Sequence, residues 1–222
     1  MGRNLSKYGV IFDFNGTLYW DTHIQNVSWD KYLEFQGIQL NEAEKKEYIH
    51  GRNGKDSFEY IFKKSFSPME IEKLTEDKEV IYRSECLKHP MEFAPGALSL
   101  LDFLSEMKAK LSIATASGKA NVDFFIEKFN LLKYFRYENI IYNDGSIRGK
   151  PFPDLFINAI KKMNIHKDHT IVFEDSISGI EAAVKAGVGN IIIVDSNNEN
   201  FDEFPYPKII HFDEFDRNLI TT

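Results

Sequence analysis

The sequence predicts an α/β fold in which a doubly wound parallel sheet forms the core and a small helical domain is inserted near the amino terminus. Three observations indicate this architecture. Short apolar runs bounded by turn residues recur along the 222 residues, segments with helical periodicity separate most of these runs, and one long interval contains helical patterns alone. Because crossover helices join parallel strands, alternation of the first two patterns predicts right-handed β–α–β units.

Each predicted strand is a short run rich in β-branched and aromatic residues. The runs lack strict alternation of polar and apolar side chains, which is typical of strands that are buried on both faces of a parallel sheet. In chain order they are Gly9–Phe12, Leu111–Ala114, Ile140–Tyr142, Ile171–Phe173, Ile191–Val194 and Ile209–Phe212. The sequence therefore places these segments inside a sheet that helices cover on both faces.

Helices are predicted between the strands, where apolar residues recur at three- and four-residue spacing. Such spacing marks residues 98–104, 119–129 and 180–186. The last of these helices is expected to stop at Gly187, because glycine readily adopts the left-handed conformation of a helix stop.

One interval interrupts the alternation of strands and helices. From about Trp20 to Phe93 the chain has amphipathic and charged helical stretches but no convincing strand, and Ala94-Pro95-Gly96 then restarts the alternation. We therefore expect a core made of residues 1–19 and 94–222 and a helical cap made of residues 20–93. The polar stretch 196–207 is predicted to be a surface loop.

Composition restricts the class of function. Hydrophobic residues make up 43% and charged residues 27% of the chain, as in ordinary globular proteins. The net charge is −7 and the Lys/Arg runs are short, so no nucleic-acid partner is expected. Cys86 is the only cysteine, which excludes an intrachain disulfide and a cysteine-based zinc site.

The apolar runs also bear on location and assembly. The polar segment Met1–Lys7 does not resemble a signal peptide, and the longest apolar run, Ile191–Val194, is too short to span a bilayer. We therefore expect a cytoplasmic monomer or small homo-oligomer that has no membrane partner.

Chemically reactive side chains stand next to the predicted strands. Asp13 follows the first strand, Thr115 the second, and Glu174-Asp175 the fourth, while Lys150 precedes a predicted helix. Open α/β sheets bind ligands outside the carboxyl ends of their strands. Neighbouring carboxylates repel unless a cation neutralises them, and Mg²⁺ prefers oxygen ligands. The pattern predicts Mg²⁺-dependent phosphoryl transfer in which a carboxylate attacks phosphorus.

These segments resemble the ordered motifs of the haloacid dehalogenase-like (HAD-like) hydrolases. The similarity is strongest to the branch of β-phosphoglucomutase and phosphoglycolate phosphatase, in which a helical cap is inserted at the same place. The resemblance implies a Rossmann-like core and a phosphatase that acts on a small phosphorylated metabolite. In chain order the matching segments are Asp13-Phe14-Asn15-Gly16-Thr17-Leu18, Thr115, Lys150-Pro151-Phe152-Pro153-Asp154 and Glu174-Asp175-Ser176 with Gly179-Ile180.

The resemblance also implies a role for each residue of the motifs. Asp13 is expected to be both the nucleophile and a metal ligand, and Asn15 is expected to bind the metal through its backbone carbonyl. Asp175, together with Glu174, would complete the Mg²⁺ site. The implied phosphate-binding residues of the core are Thr115, Ala116 and Lys150.

Asn15 departs from the family pattern, in which an aspartate at this position is the general acid and base. An amide cannot donate a proton to a leaving alkoxide, and general acid–base catalysis contributes about 10²–10⁴-fold. We therefore expect slow hydrolysis of alkyl sugar phosphates and a smaller penalty for aryl or acyl phosphates. Asn15 is either the native residue or a change engineered to trap a complex, and the sequence is compatible with both. Asp21 and His23 are alternative proton carriers, but a helix N-cap for Asp21 and an exposed surface histidine for His23 are the preferred interpretations.

The predicted cap also departs from β-phosphoglucomutase. Gln25 stands where that enzyme carries a histidine, and Arg52 lies in a glycine-containing stretch that corresponds to a segment gripping a second phosphate. Arg52 is therefore a candidate substrate-binding residue, and a surface loop is the alternative. A phosphatase is expected first. The alternatives are a catalytically weakened phosphate-binding or regulatory protein and a β-phosphoglucomutase-like sugar phosphomutase.

Overall fold

The computed structural model describes residues 5–49 and 54–220. Their packing divides the chain into two compact units. The first comprises Met1–Trp20 and Glu92–Thr222, and the second comprises Asp21–Met91. The chain therefore leaves the first unit shortly after its first strand and returns to it before its second.

A six-stranded parallel sheet forms the centre of the first unit in the described part of the chain, which confirms the predicted fold class. The strands are β1 (Gly9–Phe12), β2 (Lys110–Gly118), β3 (Ile140–Asn143), β4 (Thr170–Glu174), β5 (Asn190–Val194) and β6 (Lys208–Ile209). Their order is β3-β2-β1-β4-β5-β6, and each neighbouring pair runs parallel. The strand order therefore reverses at β1, which lies between β2 and β4.

The helices follow the strands in the order that a doubly wound sheet requires. Those of the second unit are α1 (Thr22–Phe35), α2 (Glu42–Tyr48), α3 (Gly54–Phe62) and α4 (Pro68–Cys86). Those of the first unit are α5 (Ala97–Glu106), α6 (Lys119–Phe129), α7 (Asp154–Met163) and α8 (Ile177–Ala186). As predicted, α8 ends at Gly187, which has a φ of 70° in the left-handed region.

The interior of the first unit is rich in aromatic rings. All four residues of β1 are buried, as predicted for a parallel strand that is covered on both faces. The rings of Phe12 and Phe173 on adjacent strands stack with centroids 4.9 Å apart, and Phe14 stacks on Phe125 of α6 at 4.4 Å. These contacts fix the end of β1 and the turn after it against their neighbours.

Two strands differ from the sequence prediction by more than one residue at an end. β2 continues past Ala114 to Gly118, because β3 pairs again with the chain at Gly118 after a shift in register. β6 is shorter than predicted and contains only Lys208–Ile209. Phe212, which was expected in this strand, begins a short 3₁₀ turn, and its buried ring packs at 5.3 Å from the ring of Phe173. The ring of Phe212 is therefore buried although the strand ends at Ile209.

The described part of the second unit, residues 21–49 and 54–91, contains helices and connecting turns but no strand. Buried apolar residues on α1 and α3 form its interior with Ile49, and Tyr32 and Phe58 are the largest of them. The amino terminus of α4 is closed by Ser67, which accepts from the backbone N–H of Glu70, while the Glu70 carboxylate accepts from the backbone of Ser67. Among the described residues, no helix is long and apolar enough to cross a membrane.

Candidate active site

Asp13 occupies the carboxyl end of the central strand. Its backbone N–H donates to the carbonyl of Phe173 at 3.0 Å, so the pairing of β1 with β4 continues up to this residue. The chain then turns sharply, since Gly16 N donates to Tyr19 O at 2.7 Å and Tyr19 N donates to Phe14 O at 2.9 Å. Asp13 is only 6% exposed, which leaves a carboxylate buried at the rim of the sheet.

Lys150 lies between two carboxylates at this rim of the sheet. Its ammonium Nζ forms ion pairs with Asp13 Oδ1 and with Glu174 Oε1, and its side chain is only 7% exposed. Burial on its own would lower the pKa of Lys150, but the two carboxylates outweigh that effect and hold the pKa above its ordinary value. The two carboxylates thus favour the charged form of Lys150 beside Asp13.

Glu174 is fully buried at the end of β4 and uses both carboxyl oxygens. Oε1 pairs with Lys150, while Oε2 accepts from the backbone N–H groups of Asp175 and Ser176, each at 3.0 Å. A Cβ at Gly179 would lie 1.9 Å from the Glu174 carboxyl carbon, so the carboxylate fits against the first turn of α8 only because residue 179 is glycine. These contacts hold Lys150 at the rim, and the role of Glu174 as a metal ligand stays a prediction.

The Asp175 side chain contacts the turn that follows β1. The Thr17 hydroxyl donates to its Oδ1 at 2.8 Å, and a Cβ at Gly16 would lie 2.0 Å from its Oδ2. Burial raises the pKa of Asp175 well above its ordinary value, and the carboxylates of Glu174 and Asp13 raise it further. Asp13 and Asp175 therefore lie within electrostatic reach of each other, as the motif spacing predicts.

The donor set at this rim fits a magnesium ion. Within residues 5–49 and 54–220, no group of three or more His, Cys, Asp or Glu side chains is arranged to hold a metal ion. Mg²⁺, however, is usually held by one or two carboxylates and keeps water and phosphate oxygens as its other ligands. Asp13 and Asp175 supply two carboxylates. The carboxylates at the rim outnumber the ammonium group of Lys150, and this excess of negative charge favours binding of a cation.

Residues near the end of β2 contact the turn that follows β1. Thr115 is buried, and its Oγ1 accepts from the backbone N–H of Ser117 at 3.1 Å. The Ser117 hydroxyl in turn donates to Asn15 Oδ1 at 2.7 Å. Ala116 lies exposed between them. The structure thus brings Asn15 to the predicted phosphate-binding segment of β2.

Some residues of this site escape prediction from the sequence. Ser117 lies in the stretch after the second predicted strand, but its partner Asn15 is 102 positions away and only the fold brings them together. Thr17 and Gly16 belong to the first motif, yet their contacts with Asp175 depend on the turn geometry.

A family model described as haloacid dehalogenase-like hydrolase matches residues 10–193 of the chain. The chain belongs to this family. A crystal structure of a HAD hydrolase, family IA, variant 3, from Entamoeba histolytica is 34% identical and superposes with a TM-score of 0.89, covering 97% of this chain and 100% of that one. A crystal structure of β-phosphoglucomutase from Clostridium difficile is 22% identical with a TM-score of 0.79, covers 96% of this chain and 95% of that one, and shares the fold.

Several curated relatives of this HAD-like hydrolase have names that specify a substrate. The phosphorylated carbohydrates phosphatase of Thermotoga maritima is 32% identical over 125 residues, which cover 56% of this chain and 55% of the relative. The chain thus spans about half the length of that protein. The validoxylamine A 7'-phosphate phosphatase of Streptomyces hygroscopicus subsp. limoneus is 26% identical over 81% of this chain and 82% of the relative.

Within the second unit of this HAD-like hydrolase, Asp21 is buried and its Oδ2 accepts from Tyr82 Oη at 2.5 Å and from Gln25 Nε2 at 3.2 Å. Asp21 occupies the N-cap position of α1, but among the described residues its side chain makes no capping hydrogen bond to the backbone of the first turn. His23 is exposed and packs its ring edge-on at 5.4 Å from His89, which agrees with a surface histidine. Arg52 lies outside the described residues.

Proposed function

We propose that this HAD-like hydrolase is a Mg²⁺-dependent phosphatase that releases phosphate from a small phosphorylated metabolite through an aspartyl-phosphate on Asp13. The observation that carries the proposal is the buried Lys150, which pairs with the Asp13 carboxylate at the carboxyl ends of β1 and β4. Relatives named as phosphatases of phosphorylated carbohydrates and of validoxylamine A 7'-phosphate support a phosphorylated, hydroxyl-rich small molecule as substrate.

In the first step a carboxylate oxygen of Asp13 forms a bond to phosphorus, and the bond from phosphorus to the leaving oxygen breaks. The leaving oxygen takes the electron pair of that bond. Lys150 offsets the negative charge of the carboxylate and of the phosphoryl oxygens, and the Thr115 hydroxyl donates to a phosphoryl oxygen. Asp13, Asp175 and the Asn15 carbonyl would hold magnesium, which when bound supplies further positive charge next to the phosphoryl group.

In the second step water attacks the phosphorus of the aspartyl-phosphate. The bond from Asp13 to phosphorus breaks, which returns the Asp13 carboxylate and releases inorganic phosphate. Asn15 cannot take the proton of that water or give one to the leaving oxygen. Both protons therefore exchange with bulk water, and we expect substrates with acidic leaving groups, such as aryl and acyl phosphates, to react faster than alkyl sugar phosphates.

The test is phosphate release from an aryl phosphate in the presence of Mg²⁺. We expect turnover in the unmodified protein, none in Asp13→Ala, and none after chelation of the metal. Asp202→Ala, a substitution of an exposed aspartate in the segment after β5, is the matched control and should keep full activity. The proposal fails if the unmodified protein releases no more phosphate than Asp13→Ala does at any pH.

The amide at position 15 favours one alternative, a phosphate-binding or regulatory protein with weakened catalysis. That alternative predicts binding of Mg²⁺ and phosphate with negligible turnover across a broad panel of phosphate esters. A single ester hydrolysed at an ordinary metabolic rate would exclude it. A sugar phosphomutase, the other alternative, would transfer the phosphoryl group between sugar positions instead of to water.

A further inference from the structure

The Asn15 side chain accepts a hydrogen bond from a residue of β2. The Ser117 hydroxyl donates to Asn15 Oδ1 at 2.7 Å, although 102 positions separate the two residues. A distance of this size is ordinary for an O–H···O hydrogen bond. The contact therefore ties the turn after β1 to the strand that carries Thr115.

Ser117 is itself fixed by the chain around it. Its backbone N–H donates to Thr115 Oγ1 at 3.1 Å, within the irregular part of β2 between Ala114 and Gly118. Ser117 is half-buried and belongs to β2, so the strand fixes the position of its Cα. Because the strand already restricts the Ser117 backbone, little conformational entropy is lost when the Ser117 hydroxyl holds the Asn15 amide in one orientation.

An amide carries its oxygen and its nitrogen on opposite branches, and only the nitrogen donates hydrogen bonds. Because Ser117 donates to Oδ1, it determines which branch of Asn15 is the acceptor and so where the Nδ2 donor lies. We infer that Ser117 is a positioning residue that orients the Asn15 amide so that Nδ2 donates a hydrogen bond to the leaving oxygen of the substrate. This inference rests on the proposed phosphatase function.

The chemistry of the leaving oxygen explains what this arrangement achieves. As the bond to phosphorus breaks, negative charge develops on that oxygen, and a fixed neutral donor stabilises the charge without transferring a proton. The stabilisation is larger for a more basic leaving oxygen, since its negative charge is less delocalised and it accepts a stronger hydrogen bond. Asn15 thus retains part of the assistance that a carboxylic acid would give, and Ser117 makes that assistance possible.

A double-mutant cycle tests the inference with a series of aryl phosphates whose phenols differ in acidity, together with one alkyl phosphate. Removal of one hydrogen bond is worth roughly 2- to 10-fold, so Ser117→Ala should lower kcat by about that factor with little change in KM. The loss should grow as the phenol becomes less acidic, and Ser117→Thr, which keeps the hydroxyl, should restore the rate. In the Asn15→Ala background, Ser117→Ala should have no further effect. An equal loss in that background, or a loss confined to KM, would show that Ser117 acts on the substrate directly and would overturn the inference.

A second measurement does not depend on activity. The side-chain NH₂ pair of Asn15 in a ¹H–¹⁵N spectrum is identified by its disappearance in Asn15→Ala. We expect this pair to shift in Ser117→Ala and to stay near its original position in Ser117→Thr. An unmoved pair in Ser117→Ala contradicts the inference even if the enzyme turns over. A shifted pair in a protein without any turnover supports the positioning contact and instead contradicts the proposed phosphatase function.

Discussion

At position 15 an amide stands where a proton carrier would be expected, while the rest of the rim keeps its charged groups. Lys150 pairs with Asp13, and Thr17 donates to Asp175. We therefore predict that Asn15→Asp raises the rate of hydrolysis of an alkyl sugar phosphate by about 10²–10⁴-fold, the usual contribution of general acid–base catalysis. Steady-state phosphate release measures this rate, and Asn15→Gln, which keeps an amide, is the control. An unchanged rate in Asn15→Asp would mean that another residue carries the proton.

Gly179 gives a second prediction at the scale of the residue. A Cβ at this position would lie 1.9 Å from the Glu174 carboxyl carbon. Gly179→Ala should therefore displace Glu174 from Lys150 and lower both turnover and the melting temperature. Gly149→Ala is the matched control, since no described atom lies within 4 Å of the Cβ that it would add. Equal melting temperatures and rates in the two variants would contradict this account of Glu174.

Individual site residues could be predicted from the sequence where the residue directly follows a predicted strand. Asp13, Thr115 and Asp175 follow predicted strands, and parallel strands bring their carboxyl ends to one edge. The ion pair that engages Glu174 Oε1 with Lys150 could not be predicted, because spacing does not show which carboxylate a lysine will reach. The hydrogen bond from Ser117 to Asn15 escaped prediction for the same reason.

Between elements, a buried hydrogen bond links the start of α1 to α4. Tyr82 donates to Asp21 at 2.5 Å, and burial, followed by the charge of Asp21, raises the pKa of Tyr82, so the phenol stays protonated. Tyr82→Phe leaves the buried Asp21 carboxylate without this donor, which should lower the free energy of unfolding by about 1 to 3 kcal/mol. Chemical denaturation measures this change. Tyr60→Phe, which removes a hydroxyl bonded to Glu44 at 3.0 Å in a half-buried position, is the control and should have a smaller effect.

Elements were predictable where the pattern of burial is uniform along them. β1 has the predicted bounds, Gly9–Phe12, because each of its residues is buried. The carboxyl end of β2 was misjudged, since its polar residues resemble a loop although pairing with β3 resumes at Gly118. The strand predicted at 209–212 was wrong beyond Ile209, because Phe212 reaches the aromatic interior from a 3₁₀ turn.

For the whole molecule, the alternation of strands and helices was enough to predict the parallel sheet, because few connections between parallel strands are compatible with right-handed crossovers. The strand order with β1 between β2 and β4 needs the structure, since local patterns do not specify which strands become neighbours. The helices of the second unit were expected as a class only. Their bounds depend on packing around Tyr32 and Phe58 and on the capping at Ser67, which the charge pattern does not reveal.

Binding of a divalent ion should appear in the stability of the whole molecule as well as in its chemistry. The folded chain gathers Asp13, Glu174 and Asp175 at one rim with Lys150 as their counter-charge, whereas an unfolded chain separates them. A ligand that binds only the folded state stabilises it by RT ln(1 + [L]/Kd), about 2.7 kcal/mol at a concentration of 100 Kd. The melting temperature should therefore rise with Mg²⁺ concentration in the unmodified protein and in Asp168→Asn, which changes an exposed aspartate. In Asp175→Asn this dependence should disappear, because the proposed site loses one of its two carboxylate ligands. A melting temperature that stays constant from chelated buffer to tens of millimolar Mg²⁺ would show that the rim holds no such ion, whatever the catalytic rate.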